Sequence, residues 1–442
     1  MDLLDLVKEA GVIGAGGAGF PTHVKLKAEA DYILLNGAEC EPLLRVDQQI
    51  MAVHPEEVIR GFLLGKQMTG AKKAIIGVKG SHPDVIEILE NKIKELHLEN
   101  EVEVGSLPDV YPAGDEQVLV YELTGRIVPE TGIPIAVGCV VINSETAFNI
   151  YNASNGLPVT EKYVTIAGDV PHPITVKVPI GTPLLTVMAI AGAEDLHGYG
   201  VIDGGPMMGP LLSDIHGFVT KKTKGLVILK KEHNLIQKKS REMSSAVRLN
   251  RSACEQCSLC TDLCPRNLLG HSTSPHKMIR ALVYGAEANE KVSVALTCCQ
   301  CNLCEYFSCP AGINPKMANV FYMGKLRENG VRYTPKEHYQ TKAMRPYRMI
   351  PSKRLIARIG ISDYNVAAPL DETPSVSIDR VGIALNSHVG APAVPIVSVG
   401  EWVRAGQKIG EIKENALGAT VHASLDGIVE SIENQTVIIR RG

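Results

Sequence analysis

The stretch CEQCSLCTDLCPR, residues 254–266, sets Cys254, Cys257, Cys260 and Cys264 at C-x2-C-x2-C-x3-C-P spacing. Three thiolates this close wrap three corners of one cube. The fourth, carried past a proline-bounded turn, reaches a different cube. A second block, CCQCNLCEYFSCP at 298–310, supplies the triplet Cys298, Cys301 and Cys304 and the trailing Cys309. Its last interval is four residues instead of three, an extension that a loop absorbs. Crossed ligation assigns Cys254, Cys257, Cys260 and Cys309 to one [4Fe–4S] cluster. It assigns Cys264, Cys298, Cys301 and Cys304 to a second. A zinc site asks for two C-x2-C pairs, which two triplets with trailing Cys-Pro steps do not resemble. Cys299 is left over and reads as a bystander. Pro265 and Pro310 end the runs and shield the clusters.

Around these blocks, the chain of 442 residues is ordinary in bulk, 45% hydrophobic and 21% charged, so several folded domains are expected. Nine of its eleven cysteines lie between Cys254 and Cys309. Crowding of that kind points to metal ligation in a reducing compartment, not to disulfides spread over a secreted chain. A formal net charge of −3 offers no basic surface for nucleic acid. No apolar run approaches the roughly 18 residues that span a bilayer; residues 135–142 read as a buried strand. The opening MDLLDLVKEAG carries three acids and one Lys, unlike a secretory signal. It reads as a short amphipathic helix stopped at Gly11. A cytoplasmic protein is expected.

Five segments follow from composition and periodicity. Residues 1–155 alternate strands (32–35, 74–78, 102–104) with helices (55–68, 82–96), which argues for an α/β domain. Residues 156–230 form a small α+β insert, with strands at 163–170 and 174–178, a helix at 186–193 and the glycines of GGPMMG at 204–209. Residues 231–335 are helical around the cysteines. Residues 336–374 read as a linker with one short helix near 353–359. Residues 375–442 return to short strands between glycine turns, as in a small all-β barrel or sandwich.

Near the start stands GAGGAGFPT, 14–22. Its glycines let backbone N–H groups approach a phosphate closely, or they form a tight turn after the first helix. No strand precedes them and no Gly-Lys-Ser/Thr follows, so neither a Rossmann fingerprint nor a P-loop is present. Three later segments, NGAECEP at 36–42, YPAGDE at 111–116 and VINSET at 141–146, each follow or end a strand. Together with the glycine loop they resemble, in order, the flavin loops of the NADH-binding flavoprotein subunit of respiratory complex I. GAGGAGFPTHVKL, NGAECEPLLRVDQQ, LPDVYPAGDE, DGGPMMG and CEQCSLCTDLCPR extend the likeness over nearly the whole chain. They resemble the family of the Rnf electron-transport subunit RnfC and, within it, the cobalamin reductases of propanediol utilisation.

The resemblance implies FMN in the first domain with NADH stacked on it. Gly14, Gly16, Gly17 and Gly19 would cradle FMN phosphate and ribityl, and Lys25 would pair with the phosphate. Asn36, Glu39, Gly114, Asp115, Glu116, Asn143 and Thr146 would contact flavin or ribityl, and Phe20 would stack near the nicotinamide or adenine. Asp115 departs from the complex I subunit, which carries Glu there. By the same likeness, residues 160–215 would be a soluble-ligand-binding β-grasp domain. Residues 375–442 would be a biotinyl/lipoyl-type barrel-sandwich domain, VGEWVRAGQKIGEI then ATVHASLDGIVESI, without the carrier lysine near residues 417–419. His197 and His216 read as surface loop residues, not corrinoid ligands.

The implied activity is an NADH-dependent reductase. Hydride passes to FMN, and electrons then pass singly through two [4Fe–4S] clusters to an acceptor. Cobalamin is the expected acceptor, with a corrinoid adenosyltransferase as partner, a microcompartment shell or other redox subunits as further partners, and a bacterial microcompartment lumen as the alternative to the cytoplasm. The alternatives are a diaphorase subunit feeding a partner reductase or membrane complex, and a non-enzymatic iron–sulfur carrier.

Overall fold

Strands Glu103–Leu107, Lys73–Lys79, Tyr32–Asn36 and Cys139–Asn143 lie side by side in that order in a computed structural model that describes residues 2–442. All three pairings are parallel. The two strands at the end of the order are buried almost throughout, because helices cover both faces. Helices Val46–Val53, Pro55–Thr69, Pro83–Glu95 and Ser144–Ser154 pack on one face with Ile33, Leu35, Ile76 and Val140. Helix Glu116–Thr124 covers the other through Leu119 and Val120. Gly61 lets two of these helices touch: a Cβ there would lie 1.9 Å from the Ala147 carbonyl oxygen.

The apolar run 135–142 is not one strand. Pro134–Val137 is a 3-10 turn, and the strand begins only at Cys139. Gly138, at φ +68°, reverses the chain between them, and its carbonyl accepts from the N–H groups of Asp31 and Tyr32. Hydrophobicity alone could not place that break.

The insert is a five-stranded sheet in the order Leu370–Asp371, Ile174–Pro179, Glu161–Gly168, Gly225–Lys230, Tyr199–Asp203. Its helix, Leu184–Ile190, starts directly after Pro183, two residues before the periodicity suggests. The edge strand Leu370–Asp371 comes from the stretch read as a linker. Ile350–Pro351 from the same stretch pairs antiparallel with Val110–Tyr111, and helix Ser352–Arg358 follows it. Residues 336–374 therefore strap the insert to the first domain, in pairings that no local pattern announces.

Around the cysteines run helices Met243–Ala253, Pro275–Val283 and Pro315–Glu328, which share a core of Met278, Ile279, Leu282, Ala318, Tyr322 and Leu326. The last segment forms a four-stranded sheet facing a three-stranded one. Its apolar interior is continuous with that of the first domain.

At the junction of first domain, insert and barrel sits Lys221, fully buried with no acid beside it. Its ammonium donates to the carbonyls of Gly11 (2.7 Å) and Thr420 (2.9 Å). Burial pulls its pKa down to about 7. Between that value and the unfolded lysine value the unfolded chain binds the extra proton, so stability rises with pH over that window. The neighbouring His388 and His422 are also lowered and are neutral there. Wild type is expected to gain thermal stability relative to Lys221→Met between pH 7 and 9, read by circular dichroism. Parallel curves would refute the assignment.

Candidate functional site

The strand order reverses between Tyr32–Asn36 and Cys139–Asn143. From the first strand the chain winds outward to Lys73–Lys79 and Glu103–Leu107, then returns to the other side. Open parallel sheets bind ligands outside the carboxyl ends of their strands at such a switch point. Asn36 and Asn143 sit there, paired in register. Asn36 donates its amide N–H to the Gly114 carbonyl (2.8 Å). Asn143 accepts from the N–H of Glu145 (3.1 Å), capping helix Ser144–Ser154.

The glycine loop lies over this crevice. Gly14 N–H donates to Phe20 O (2.8 Å), closing the loop, and Ala15 N–H donates to Thr146 Oγ1 (2.9 Å), tying it to the helix start. A Cβ on Gly16 would stand 3.8 Å from that of Asn143. One on Gly17, at φ +109°, would meet nothing. Gly16 and Gly17 are exposed, Gly19 is buried and Phe20 is half-buried. Backbone N–H groups over a helix N-terminus, with side-chain-free space above them, fit a phosphate. Lys25 stands at the mouth in an ion pair with Glu116 (2.9 Å), both partly exposed.

Two expected contact residues turn elsewhere. Glu39, at φ +29°, is buried against Lys224 (3.2 Å), and desolvation raises its pKa to about 7. Asp115 caps helix Glu116–Thr124 by accepting from the N–H of Gln117 and Val118, and it ion-pairs with Arg266 (2.8 Å). Beneath the site, residues not anticipated form a polar floor. Asp47 accepts from Asn143 (3.0 Å) and Ser144 (2.7 Å) and pairs with Lys224, and Glu145 pairs with Lys162. Asp47 belongs to a quoted stretch, but its lysine partner lies far along the chain on the insert. Only an unpaired buried acid could have hinted at it.

Cys254, Cys257, Cys260 and Cys309 line one space, with Pro310 on its rim. Cys264, Cys298, Cys301 and Cys304 line another, joined there by Cys299. The two loops share a backbone pattern: Gln256 and Ser258 in one, Gln300 and Asn302 in the other, all with φ between +55° and +63°. The extra residue of the second block is not absorbed in a loop. It makes Cys304–Ser308 a π-helical turn, which is how a helix accommodates one inserted residue, frequently at functional sites. Burial first, then neighbouring thiols, pushes Cys260 and Cys298 up to about 12. Four sulfurs lining each space are a donor set of the kind that would hold an iron–sulfur cluster.

Residues 7–152 match the Nuo51 FMN-binding domain, 253–314 a 4Fe-4S dicluster domain and 371–442 the RnfC barrel sandwich hybrid domain. Cobalamin reductase PduS of Citrobacter freundii is 45% identical over 99% of this chain and 96% of its own length. The chain belongs to the RnfC-like family. PduS of Salmonella typhimurium is 43% identical over 100% and 97%. A component of the Na(+)-translocating ferredoxin:NAD(+) oxidoreductase complex of Acetobacterium woodii is 38% identical over 60% of this chain and 57% of its own. This RnfC-like chain is an oxidoreductase. Among its described residues no helix is long and apolar enough to cross a membrane.

In this RnfC-like chain the second quartet abuts the flavin-type loops. Tyr111 donates its hydroxyl hydrogen to the Cys301 carbonyl (2.8 Å), and Arg266, two residues after Cys264, holds Asp115. The GGPMMG loop wedges in beside them. Half-buried Glu41 accepts from the N–H of Met207 (2.8 Å) and Met208 (2.9 Å), and Asn302 donates its amide N–H to Met207 O (2.5 Å). The first quartet lies farther out, with Cys257 exposed. His197 and His216 are exposed in loops. The barrel hairpin, lysine-free at 417–419, packs on the first helix: Thr420 donates to Lys8 O (2.9 Å).

Proposed function

We propose that the chain is an NADH-dependent reductase that delivers electrons to cobalamin. FMN bound at the switch point would supply hydride acceptance and single-electron release, and two [4Fe–4S] clusters would supply one-electron carriage. The observation that carries the reading is the adjacency of the glycine-loop crevice to the Cys264 quartet through Tyr111–Cys301 and Asp115–Arg266.

The residues then take the following roles. Gly16, Gly17 and Gly19 present backbone N–H groups to the phosphate, Gly14 closes their loop through its own N–H to Phe20, and Lys25, released from Glu116, neutralises the phosphate. Asn36, Gly114, Glu116, Asn143 and Thr146 shape the flavin floor. Glu39 and Asp115 act through Lys224 and Arg266. Phe20 covers the nicotinamide side. Cys264, Cys298, Cys301 and Cys304 hold the cluster nearer the flavin. Cys254, Cys257, Cys260 and Cys309 hold the one nearer solvent, where Cys257 is exposed. The β-grasp insert serves as a spacer locked by Lys162 and Lys224, and the barrel as a packing module. The full-length likeness to two cobalamin reductases supports cobalamin, free or on a corrinoid adenosyltransferase, over a membrane-complex partner.

Anaerobic titration of the purified protein with NADH tests the reading. Bleaching of a flavin band, then cobalamin reduction without other subunits, is expected. Flavin bleaching without cobalamin reduction would instead indicate a diaphorase that needs a partner protein. Iron-loaded protein that NADH leaves oxidised would exclude the reductase altogether.

A further inference from the structure

Arg266 occupies an unusual place in the chain. It directly follows Cys264-Pro265 at the start of the short helix Pro265–Leu268, so its backbone stays beside that sulfur. Cys264 itself is the residue that caps this helix. The Arg266 side chain turns away from solvent. The terminal nitrogen donates to Asp115 Oδ2 at 2.8 Å, with the two side chains only 11% and 13% exposed. Cys299 lines the same space as the second quartet. The Arg266 Nε–H is buried and without any partner.

A buried guanidinium with one N–H unspent is costly unless a further acceptor completes it. Only Pro265 separates Arg266 from Cys264, so sulfur of that quartet is the acceptor that would complete it. Asp115 cannot cancel the cation completely. Its carboxylate is already shared with the N–H groups of Gln117 and Val118 at the start of helix Glu116–Thr124. That helix opens directly after Gly114, so the same carboxylate joins the flavin-type loop to the cysteine loop.

We infer that Arg266 and Asp115 are a pair of positioning residues that set the reduction potential of the cluster held by Cys264, Cys298, Cys301 and Cys304. The inference rests on the two-cluster reading above. Reducing a cluster adds one negative charge to it. A fixed cation nearby favours that charge and a fixed anion opposes it, and in a site closed to water neither is screened strongly. Hydrogen bonds to the sulfurs act in the same sense as the cation. Arg266 holds the inner cluster ready to accept an electron, and Asp115 limits how far. Cys254, Cys257, Cys260 and Cys309 have no such ion pair in the wall of their space, so the outer cluster serves as an internal reference.

The test is a redox titration of anaerobically prepared holoprotein followed by electron paramagnetic resonance, on wild type, Arg266→Gln, Arg266→Lys and Asp115→Asn. Asparagine caps helices as well as aspartate, so the last variant keeps the fold. Arg266→Gln is expected to move the inner cluster's potential negative, and Arg266→Lys to restore part of the shift. Asp115→Asn is expected to move it positive, with the outer cluster unmoved in all three. Both Arg266→Gln and Asp115→Asn break the same ion pair. A merely structural bridge would therefore shift the potential in one direction, or not at all, and either result overturns the inference. Wild type with no second reducible cluster would overturn the two-cluster reading, and this inference with it. Two normal clusters with unmoved potentials would overturn this inference alone.

Discussion

Cys264→Ala is expected to remove one of two clusters, halving iron and acid-labile sulfide, and to silence electron delivery while the flavin still reacts with NADH. The reason lies in the crossing of the ligands. By sequence Cys264 belongs to the first block, yet it lines the same space as Cys298, Cys301 and Cys304. Its loss should erase the resonance signal of that quartet and leave the signal of Cys254, Cys257, Cys260 and Cys309 intact. Reduction of a dye that takes electrons directly from flavin should persist, and reduction of cobalamin should vanish. Cys299→Ala is the companion variant. Cys299 sits in the same wall, but the quartet is complete without it, so iron content should not change. Full iron in Cys264→Ala, or halved iron in Cys299→Ala, would reverse the assignment of the fourth ligand.

Lys162→Met is expected to cost about 3–5 kcal/mol of stability, the penalty for breaking a buried ion pair from one side. Lys162 stands on the insert strand Glu161–Gly168, and Glu145 stands in the first turn of helix Ser144–Ser154. Both side chains are 2% exposed. With the ammonium gone, the Glu145 carboxylate stays buried, partly supported by the helix dipole at its N-terminal turn and by the N–H of Tyr163. The double variant Glu145→Gln with Lys162→Met should recover much of the loss, because no uncompensated charge remains. Urea unfolding of the three proteins reads this directly. A second consequence reaches the site: Thr146, next in the helix, holds the glycine loop through Ala15. Flavin should therefore dissociate more readily from Lys162→Met than from the double variant. Equal stability of wild type and Lys162→Met would show that water reaches the pair.

Much of this architecture was legible before folding was considered. Strands 32–35 and 74–78 and helix 55–68 could be read because their apolar patterns are local. Thiol spacing is equally local, and the sulfur groups it suggests line two separate spaces. Local pattern failed wherever a backbone turn interrupted a hydrophobic run, as at Gly138, or where helix geometry absorbed the extra residue before Cys309.

The long-range partners were decided elsewhere. Asp115 reads as a flavin contact in its loop, and only the approach of residue 266 reveals a bridge to the cysteines. Glu39 and Asp47 lie in one motif, but the cation that balances them arrives from Lys224, more than 170 residues along the chain. The strap 336–374 shows the same division. Its short strands have no pattern of their own and exist because the sheet edge at Ile174–Pro179 and the otherwise unpaired strand Val110–Tyr111 await a partner. Spacing along a chain encodes the chemistry that neighbours can share. Desolvation and ion pairing depend on what arrives from afar, and tertiary packing alone supplies that.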